Sequence, residues 1–287
     1  MNNVRIENLI VRDAQVRTPF SGLPLLLRKL SDNEVGFDEL VTTLQQFPSV
    51  TARLLAVANS AWSAPRAPVM SLQSACTQLG LALIRSISIS VAVSAPFDTK
   101  RCPPFDTALF WYSSLLVADG AERLAAHCKS DTTIEPRAVH TAGLLHNIGL
   151  LWLADKLPDY VMRAFKAAEG VDAAARSVHA ALREVVGVGV SEVGGLLLDA
   201  WRLPSLLVTA VRYHRDSEYG GNGWQTAALV AGAAEMVRVL RRGGNSAASS
   251  PSLERLGIVP GMQRAVLAEM QTRSIRVREA AEALARL

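Results

Sequence analysis

The spacing of apolar residues constrains this chain more than any other feature, because it follows the period of an α-helix almost throughout. No segment shows a convincing run of strict apolar–polar alternation, and no Asn-Gly or Asp-Gly turn lies between β-rich segments. Prolines, glycines and capping serines divide the pattern into roughly twelve to fourteen helical segments. The sequence therefore predicts an all-α protein built as a multi-helix bundle.

Five of these segments form a predicted N-terminal helical subdomain over residues 21–97. The first helix follows Gly22 and has Pro24 in its opening turn, a position that the fixed φ angle of proline favours. Ser49 and Ser71 are placed to cap the third and fourth helices, because a serine hydroxyl can accept a hydrogen bond from the first turn. The ranges predicted after the first helix are 37–46, 49–59, 72–79 and 81–94.

Prolines and charged residues between positions 95 and 104 disfavour a helix and mark a boundary. A second subdomain, over residues 104–218, is predicted to begin with a long amphipathic helix at 106–128. Residues 1–20 are assigned to an N-terminal extension, and residues 219–287 to C-terminal helices that pack on the second subdomain. The other predicted helices run from Pro136 to about His146, then over 149–157, 158–168, 172–186, 190–201, 204–215 and 223–242, with two more after a flexible loop at 243–252.

Composition excludes several classes of protein. The chain has 287 residues, of which 49% are hydrophobic, so that it can bury a large core and is not a disordered protein. No stretch reaches the roughly 18 to 20 uninterrupted apolar residues of a membrane helix, and no secretory signal is visible. Cys76, Cys102 and Cys128 fit no zinc or disulfide framework, so we expect three thiols in a cytoplasmic protein.

The net charge of +4 is mild, and it is concentrated near the C-terminus. From Gly223 onward the chain has nine arginines and five glutamates, which accounts for the whole excess of positive charge. Arginine-rich terminal helices are typical of a solvated face, and they also suit contact with nucleic acid. A nucleic-acid-binding regulator is therefore one alternative function.

The segment Gly143–Leu153 carries the most informative polar pair of the chain, His146-Asn147. An aspartate at position 147 would make the pair typical of a metal-dependent phosphohydrolase, in which a neutral imidazole and an adjacent carboxylate bind a divalent cation. Asparagine offers a carbonyl oxygen but no negative charge, which weakens the attraction for a metal ion. The pair therefore indicates a hydrolase-like site that has lost its chemistry.

The chain has five histidines, at positions 127, 140, 146, 179 and 214, and they form no metalloprotease-like motif. A histidine without a ligand role is the simplest interpretation of most of them. His146 is the exception, because it ends an apolar helix and its side chain is expected to point into a cavity between helices. His214 is the natural second member of this cleft, and Glu184 is expected nearby.

Several segments, among them Leu54 to Ala61, Ala142 to Gly149 and Tyr213-His214, form an ordered series along the chain. This series resembles the HDOD domain, a non-catalytic relative of the HD phosphohydrolases that occurs in bacterial regulators. The series covers about residues 20–218, and its order and spacing make it more specific than any one segment. The resemblance implies an HD-like helical bundle with an N-terminal helical subdomain. The matching residues are Leu23-Pro24, Leu54 to Ala61, Ser71-Leu72, Ala75, Leu79-Gly80, Arg85, Ala142 to Gly149, Glu184, Gly187, Glu192, Gly194, Trp201, Leu203-Pro204 and Tyr213-His214.

Departures from the pattern of active HD enzymes imply that the site has no catalytic residue. The resemblance places Ser113 and Val190 where active enzymes carry histidines, and Asn147 where they carry aspartate. His214 is followed by Arg215, where relatives often have a second histidine. The ligands that remain are too few to hold a cation and activate a water molecule. We expect no enzyme activity, no metal and no cofactor, with a residual metal-dependent phosphodiesterase as a further alternative.

These observations predict a non-enzymatic signal-transduction or regulatory module of the bacterial cytoplasm. It would bind a partner protein, or a small ligand such as a nucleotide, through the cleft formed by His146, Asn147, Glu184 and His214. Arginines offer contacts for an anionic ligand, because the guanidinium group binds phosphate and carboxylate well. The apolar final helix could support a homodimer, and no membrane contact is expected. The candidate arginines are Arg85, Arg212 and Arg215.

Overall fold

The computed structural model describes residues 8–10, 12–13, 23–32, 34–128, 134–168, 178–244 and 250–286. Over these residues the chain forms fifteen α-helices and one short 3₁₀-helix, and the described part contains no β-strand. The predicted all-α fold is thereby confirmed.

The helices follow one another with short connections, and most begin and end within two residues of the predicted bounds. In chain order they are α1 (Leu23–Ser31), α2 (Phe37–Gln45), α3 (Pro48–Ala58), α4 (Leu72–Leu79), α5 (Leu81–Ser94), the 3₁₀-helix (Thr99–Arg101), α6 (Thr107–Ala126), α7 (Pro136–Leu145), α8 (Ile148–Lys156), α9 (Pro158–Ala168), α10 (Val178–Val186), α11 (Val190–Ala200), α12 (Ser205–Tyr213), α13 (Trp224–Arg241), α14 (Pro251–Arg255) and α15 (Pro260–Ala285).

Two local predictions about helix ends and loops are wrong. Ser49 does not cap α3, because Pro48 already occupies the first helical position and no side chain caps the helix. The loop predicted at 243–252 contains the start of a helix, since α14 begins at Pro251. The cap predicted for Ser71 is confirmed: its hydroxyl oxygen accepts a hydrogen bond from the backbone N–H of Ser74 at 3.1 Å. Residues 172–177 of one predicted helix lie outside the described residues.

Helix α6 is the central element of the larger half of the molecule. It packs against α7, α13 and α15, and most of its side chains from Phe110 to Ala121 are buried. Its small residues allow this close packing, as Gly120 shows: a Cβ atom there would lie 2.6 Å from Sδ of Met270 on α15. The final helix therefore forms part of the core around α6, and it also contacts α3 of the N-terminal bundle.

The N-terminal bundle contains α1 to α5, with α5 as its buried centre. Every residue of α5 from Ile84 onward is buried, and α5 packs against α7. The two helices are joined by a buried hydrogen bond of 2.9 Å between the hydroxyl groups of Ser86 and Thr141. The bundle is thereby connected to the helix that leads into the His146-Asn147 pair.

Asn59 fixes the loop between α3 and α4. Its side-chain amide donates to the carbonyl oxygen of Val69 at 2.9 Å, and its side-chain oxygen accepts from the N–H of Val69 at 2.8 Å. This two-bond clamp closes a loop of ten residues onto the end of α3. The asparagine in the early motif of the sequence therefore has a structural role.

A short part of the N-terminal extension lies against α8. Ile10 is fully buried, and the Asp13 carboxylate accepts a hydrogen bond of 3.0 Å from the indole N–H of Trp152. Lys156 approaches the same carboxylate at 3.3 Å. The extension is thus attached to the helix that follows the His146-Asn147 pair.

Within the ranges described above, no single helix combines the length and the apolar composition needed to cross a membrane. The three cysteines, Cys76, Cys102 and Cys128, are free thiols, as the odd number and spacing predicted.

Arg85 lies in the apolar helix α5 and holds the end of α1. Its side chain is only 6% exposed, and its guanidinium group donates to the backbone carbonyl oxygens of four residues. Carbonyls in the last turn of a helix have no partner within the helix, so a buried donor is needed there. The accepting residues are Lys29, Leu30, Asp32 and Val35.

We expect Arg85→Met to lower the free energy of unfolding by about 3 kcal/mol or more, because several buried carbonyls lose a charged donor at once. Chemical denaturation measures the change. The matched control is Arg286→Met, whose side chain is 76% exposed and pairs only with Glu282. Equal stabilities of the two variants would contradict the structural role of Arg85.

Candidate functional site

The His146-Asn147 pair forms the corner between two helices. Helix α7 ends at Leu145 and α8 begins at Ile148, so that the pair connects them with almost no loop. His146 is 2% exposed. The corner therefore places two polar side chains inside the protein, as the sequence predicted for His146.

Glycines on both sides of the corner allow it to lie this deep. A Cβ atom at Gly143 would be 2.6 Å from the Cα atom of Ala118 on α6. A Cβ atom at Gly149 would be 2.1 Å from the carbonyl oxygen of Val190 on α11. Neither helix could approach the corner if these positions carried side chains, because backbone atoms cannot move aside as a flexible side chain can.

The corner opens into a cavity of about 550 Å³, a size typical of small-molecule sites. Helices α6, α9, α10, α12 and α13 provide most of its wall, together with the residues just before α6. One part of the wall is apolar, and the rest is lined by histidines, Asn147, Ser113 and arginines. The apolar part comprises Phe105, Leu109, Phe110, Leu150 and Phe165.

Three histidines, His146, His179 and His214, meet in this cavity. The rings of His146 and His214 pack edge to face, with centroids 5.5 Å apart. Nδ1 of His146 is 2.7 Å from the carbonyl oxygen of Gly143, and Nδ1 of His214 is 2.8 Å from that of Val211. A carbonyl oxygen only accepts, so each Nδ1 carries a proton, and in the neutral ring Nε2 is left as an acceptor.

Burial keeps these imidazoles neutral. It lowers the pKa of His146 to about 4, and the nearby Arg215 acts in the same direction. Burial also lowers the pKa of His214 and of His179 well below the ordinary value, and the neighbouring cations lower them further. At neutral pH the three rings therefore carry no charge.

Several polar atoms of the cavity lack a hydrogen-bond partner within the described protein. These buried atoms are the side-chain oxygen of Asn147, Nε2 of His214 and Nδ1 of His179. Buried polar atoms are almost always paired in folded proteins, since leaving one unpaired costs free energy. A group of unpaired buried polar atoms around one cavity is typical of a binding site.

Arginines line the side of the cavity formed by α13 and the end of α12. Nε of Arg238 donates to the Glu235 carboxylate at 2.6 Å, so this arginine is paired. Arg215 lines the cavity and is exposed, and partial desolvation by the surrounding protein lowers its pKa to about 10. Desolvation also lowers the pKa of Arg241. Both side chains keep their positive charge at neutral pH.

The structure brings four of the predicted site residues together. His146, Asn147, His214 and Arg215 all line the cavity.

Glu184 requires a correction. It is exposed on α10 and does not line the cavity. His179, five residues earlier on the same helix, faces the cavity instead, and this spacing places the two side chains on different sides of α10.

Two of the predicted anion contacts are also corrected. Arg85 is used to bind the backbone at the end of α1, and it is absent from the cavity wall. Arg212 lies outside the cavity: it packs across α11, where a Cβ atom at Gly195 would be 2.6 Å from its own Cβ atom. Its guanidinium group lies over the ring of Tyr213, 5.7 Å from the centroid.

His179 is the site residue that the sequence analysis missed. It stands alone on a helix with no neighbouring motif, and only the packing of α10 against α9 and α11 brings it to the cavity. The sequence analysis also assigned the C-terminal arginines to a solvated or nucleic-acid-binding surface. Three of them line the cavity instead: Arg238, Arg241 and Arg242.

The donors present do not fit a divalent metal. The part of the chain that the structure describes contains no group of three or more His, Cys, Asp or Glu side chains that could hold a metal ion. Ser113 lies on the cavity wall at the position where a histidine would add a ligand. Glu192, the one acidic residue near Val190, accepts from the backbone N–H of Gly189 at 2.9 Å and pairs with Arg183.

Comparison with known families decides the assignment. The family model of the HDOD domain matches residues 23–217, which is more than half of the chain. The chain belongs to the HDOD domain family. This confirms the resemblance in the sequence, and the matched region spans the N-terminal bundle and the cavity residues up to Arg215.

Solved structures share this fold at low sequence identity, and among curated proteins none matches. An HDOD domain protein of Geobacter sulfurreducens is 23% identical, with a TM-score of 0.73 over 98% of this chain and 99% of that chain. A protein of Shewanella amazonensis described as a "putative phosphohydrolase" is 21% identical, with a TM-score of 0.73 over 96% of this chain and 97% of that chain. A "putative signal transduction protein" of Marinobacter aquaeolei is 19% identical, with a TM-score of 0.79 over 99% of this chain and 66% of that chain.

We expect His146→Ala to lower the free energy of unfolding by about 1–3 kcal/mol at pH 7.5, because a buried hydrogen-bonded group is lost. The folded pKa of His146, about 4, is below the unfolded value, so the unfolded state binds more protons on acidification. The wild-type protein should therefore lose stability as the pH falls below about 6.5, by roughly 1 kcal/mol from this residue by pH 5.5.

The stability difference between wild type and His146→Ala should thus narrow between pH 7.5 and pH 5.5. Urea unfolding at both pH values measures this difference. The control variant is His127→Ala, because His127 is exposed. A difference that stays constant or widens on acidification would show that His146 is not a neutral buried imidazole.

Proposed function

We propose that this HDOD domain protein is a regulatory module that binds a small ligand in the cavity at His146 and does not hydrolyse it. The observation that carries the proposal is the state of the cavity histidines. His146 and His214 are neutral, and their Nδ1 atoms are engaged by backbone carbonyls. Asn147 adds an acceptor without charge.

Such a set of groups is suited to binding and poorly suited to hydrolysis. Hydrolysis by an HD-type site needs a cation that lowers the pKa of a bound water molecule. Neutral imidazoles can bind a transition metal, but no described cluster adds a carboxylate to them and several guanidinium groups line the same cavity, so a divalent cation gains little electrostatic attraction. The same acceptors are well suited to N–H and O–H groups of a ligand.

A regulatory role is consistent with the family and with the signal transduction protein of Marinobacter aquaeolei that shares the fold. The site is a concave cavity, which is better suited to a small molecule than to a flat protein surface. Binding would then bias the packing of the surrounding helices, which a partner protein could recognise.

The nucleic-acid alternative is less favoured, because most C-terminal arginines have partners within the protein. Arg255 lies over the ring of Trp224 at 4.3 Å, and Arg278 lies over that of Tyr112 at 5.1 Å. Arg273 is 3.2 Å from the Asp119 carboxylate. Together with the arginines that line the cavity, this leaves few guanidinium groups to form a continuous basic face.

The proposal predicts that the protein retains a small molecule, and that filling the cavity removes it. We expect mass spectrometry of extracts from protein purified out of its native host to detect a bound small molecule in wild type and not in Ala234→Trp. Ala234 lines the cavity, and Ala265→Trp, at an exposed position of α15, is the matched control. Both variants must first show helical circular dichroism equal to that of the wild type.

The same preparation tests the absence of hydrolysis. Protein purified without chelator is expected to contain substoichiometric Mn, Fe and Ni, and to show no turnover of phosphodiesters after addition of Mn²⁺. Stoichiometric metal with turnover that His146→Ala abolishes would establish a phosphodiesterase instead. Equal small-molecule content in wild type and Ala234→Trp would rule out the cavity as the binding site.

A further inference from the structure

Charge is distributed unevenly inside the cavity. Its positive groups are Arg215 just after α12, Arg238 and Arg241 on α13, and Arg242 just after that helix. Its only acidic lining residues within the described chain are Asp106 and Glu235. Glu235 is already paired with Arg238. The arginines that remain, Arg215, Arg241 and Arg242, form no ion pair with any described residue.

Two of these arginines, Arg215 and Arg241, line the cavity and are exposed. Partial desolvation lowers the pKa of both Arg215 and Arg241, which means that the protein surroundings disfavour their charged forms. A partly desolvated cation attracts an anion, and an anion bound beside it stabilises its charged form. Since Arg215 and Arg241 both lower the pKa of His179, they act on the same part of the cavity.

The cavity also offers hydrogen-bond acceptors. Nε2 of His214 and the side-chain oxygen of Asn147 are buried acceptors with no partner within the described protein. A ligand that pairs with them must carry N–H or O–H donors. The cavity also has an apolar wall that contains Phe110 and Leu150.

We propose that the cavity binds an organic phosphate, with the phosphate group on Arg215 and Arg241 and the N–H or O–H donors of its organic part on Asn147 and His214. This inference rests on the proposed ligand-binding function and names the chemical class of that ligand. Phosphate is favoured over carboxylate because it presents three or more oxygens, enough for two guanidinium forks at once. A carboxylate has only two oxygens to share between the two groups.

The inference is tested by isothermal titration calorimetry with the full-length protein. The probes are inorganic phosphate, adenosine monophosphate, glucose 6-phosphate, adenosine and citrate. The two organic phosphates represent different organic parts, while adenosine lacks the anion and inorganic phosphate lacks the organic part. Citrate carries only carboxylates. We expect binding of at least one organic phosphate to be stronger than that of inorganic phosphate, adenosine and citrate, and to weaken with added salt.

Arg215→Gln and Arg241→Gln should each weaken binding of that organic phosphate by at least about ten-fold, because each removes charged hydrogen bonds to the anion. Asn147→Leu should weaken the binding of the organic phosphate and leave the affinity for inorganic phosphate unchanged. The matched control is Arg276→Gln, at an exposed position of α15, which should bind like wild type.

Three results would overturn the inference. These are equal binding of adenosine and adenosine monophosphate, unchanged affinity in Arg215→Gln and Arg241→Gln, or no measurable binding of either organic phosphate. None of these results would contradict the proposed function. That function is tested separately, by whether wild type retains a small molecule that Ala234→Trp loses. If that molecule lacks phosphate, the proposed function stands and the inference fails.

Discussion

The close approach of backbones at Gly143 and Gly149 is the constraint on which the rest of the site depends. It lets α7 cross α6, and α8 cross α11, at distances that a side chain would forbid. The chain between these two contacts has only five residues, so it must turn sharply at His146-Asn147. The polar corner is thereby fixed at the bottom of a cavity rather than on a surface loop.

The environment of the corner determines its chemistry. Deep burial keeps His146 and His214 neutral, and the carbonyls of Gly143 and Val211 determine which ring nitrogen carries the proton. In a hydrolase a metal would use the free nitrogens together with carboxylates. Here guanidinium groups outnumber the two carboxylates that line the cavity, and they attract anions and repel cations. The proposed binding of a ligand without hydrolysis is based on this excess of positive charge.

Much of the fold could be predicted from the sequence, because helices depend on local signals. Pro136 and Ser71 mark helix starts, and the apolar period marks the helix bodies. The site could be predicted only where a motif is contiguous, as at His146-Asn147. His179, Arg238, Arg241 and Arg242 reach the cavity through tertiary packing, which no local pattern reports. Arg85 was misinterpreted as a ligand contact, because a sequence does not distinguish a buried arginine that binds backbone carbonyls from one that binds a ligand.

The most direct test of the account is the protonation state of the cavity histidines, measured by long-range ¹H–¹⁵N NMR correlation at pH 7 before and after addition of Zn²⁺. We predict neutral His146 and His214 rings with the proton on Nδ1, and spectra that Zn²⁺ leaves unchanged. A charged ring would show that burial does not keep these histidines neutral. A Zn²⁺-dependent shift of Nε2 in both residues would show that the cavity still binds a divalent metal ion. Either result would contradict the central claim.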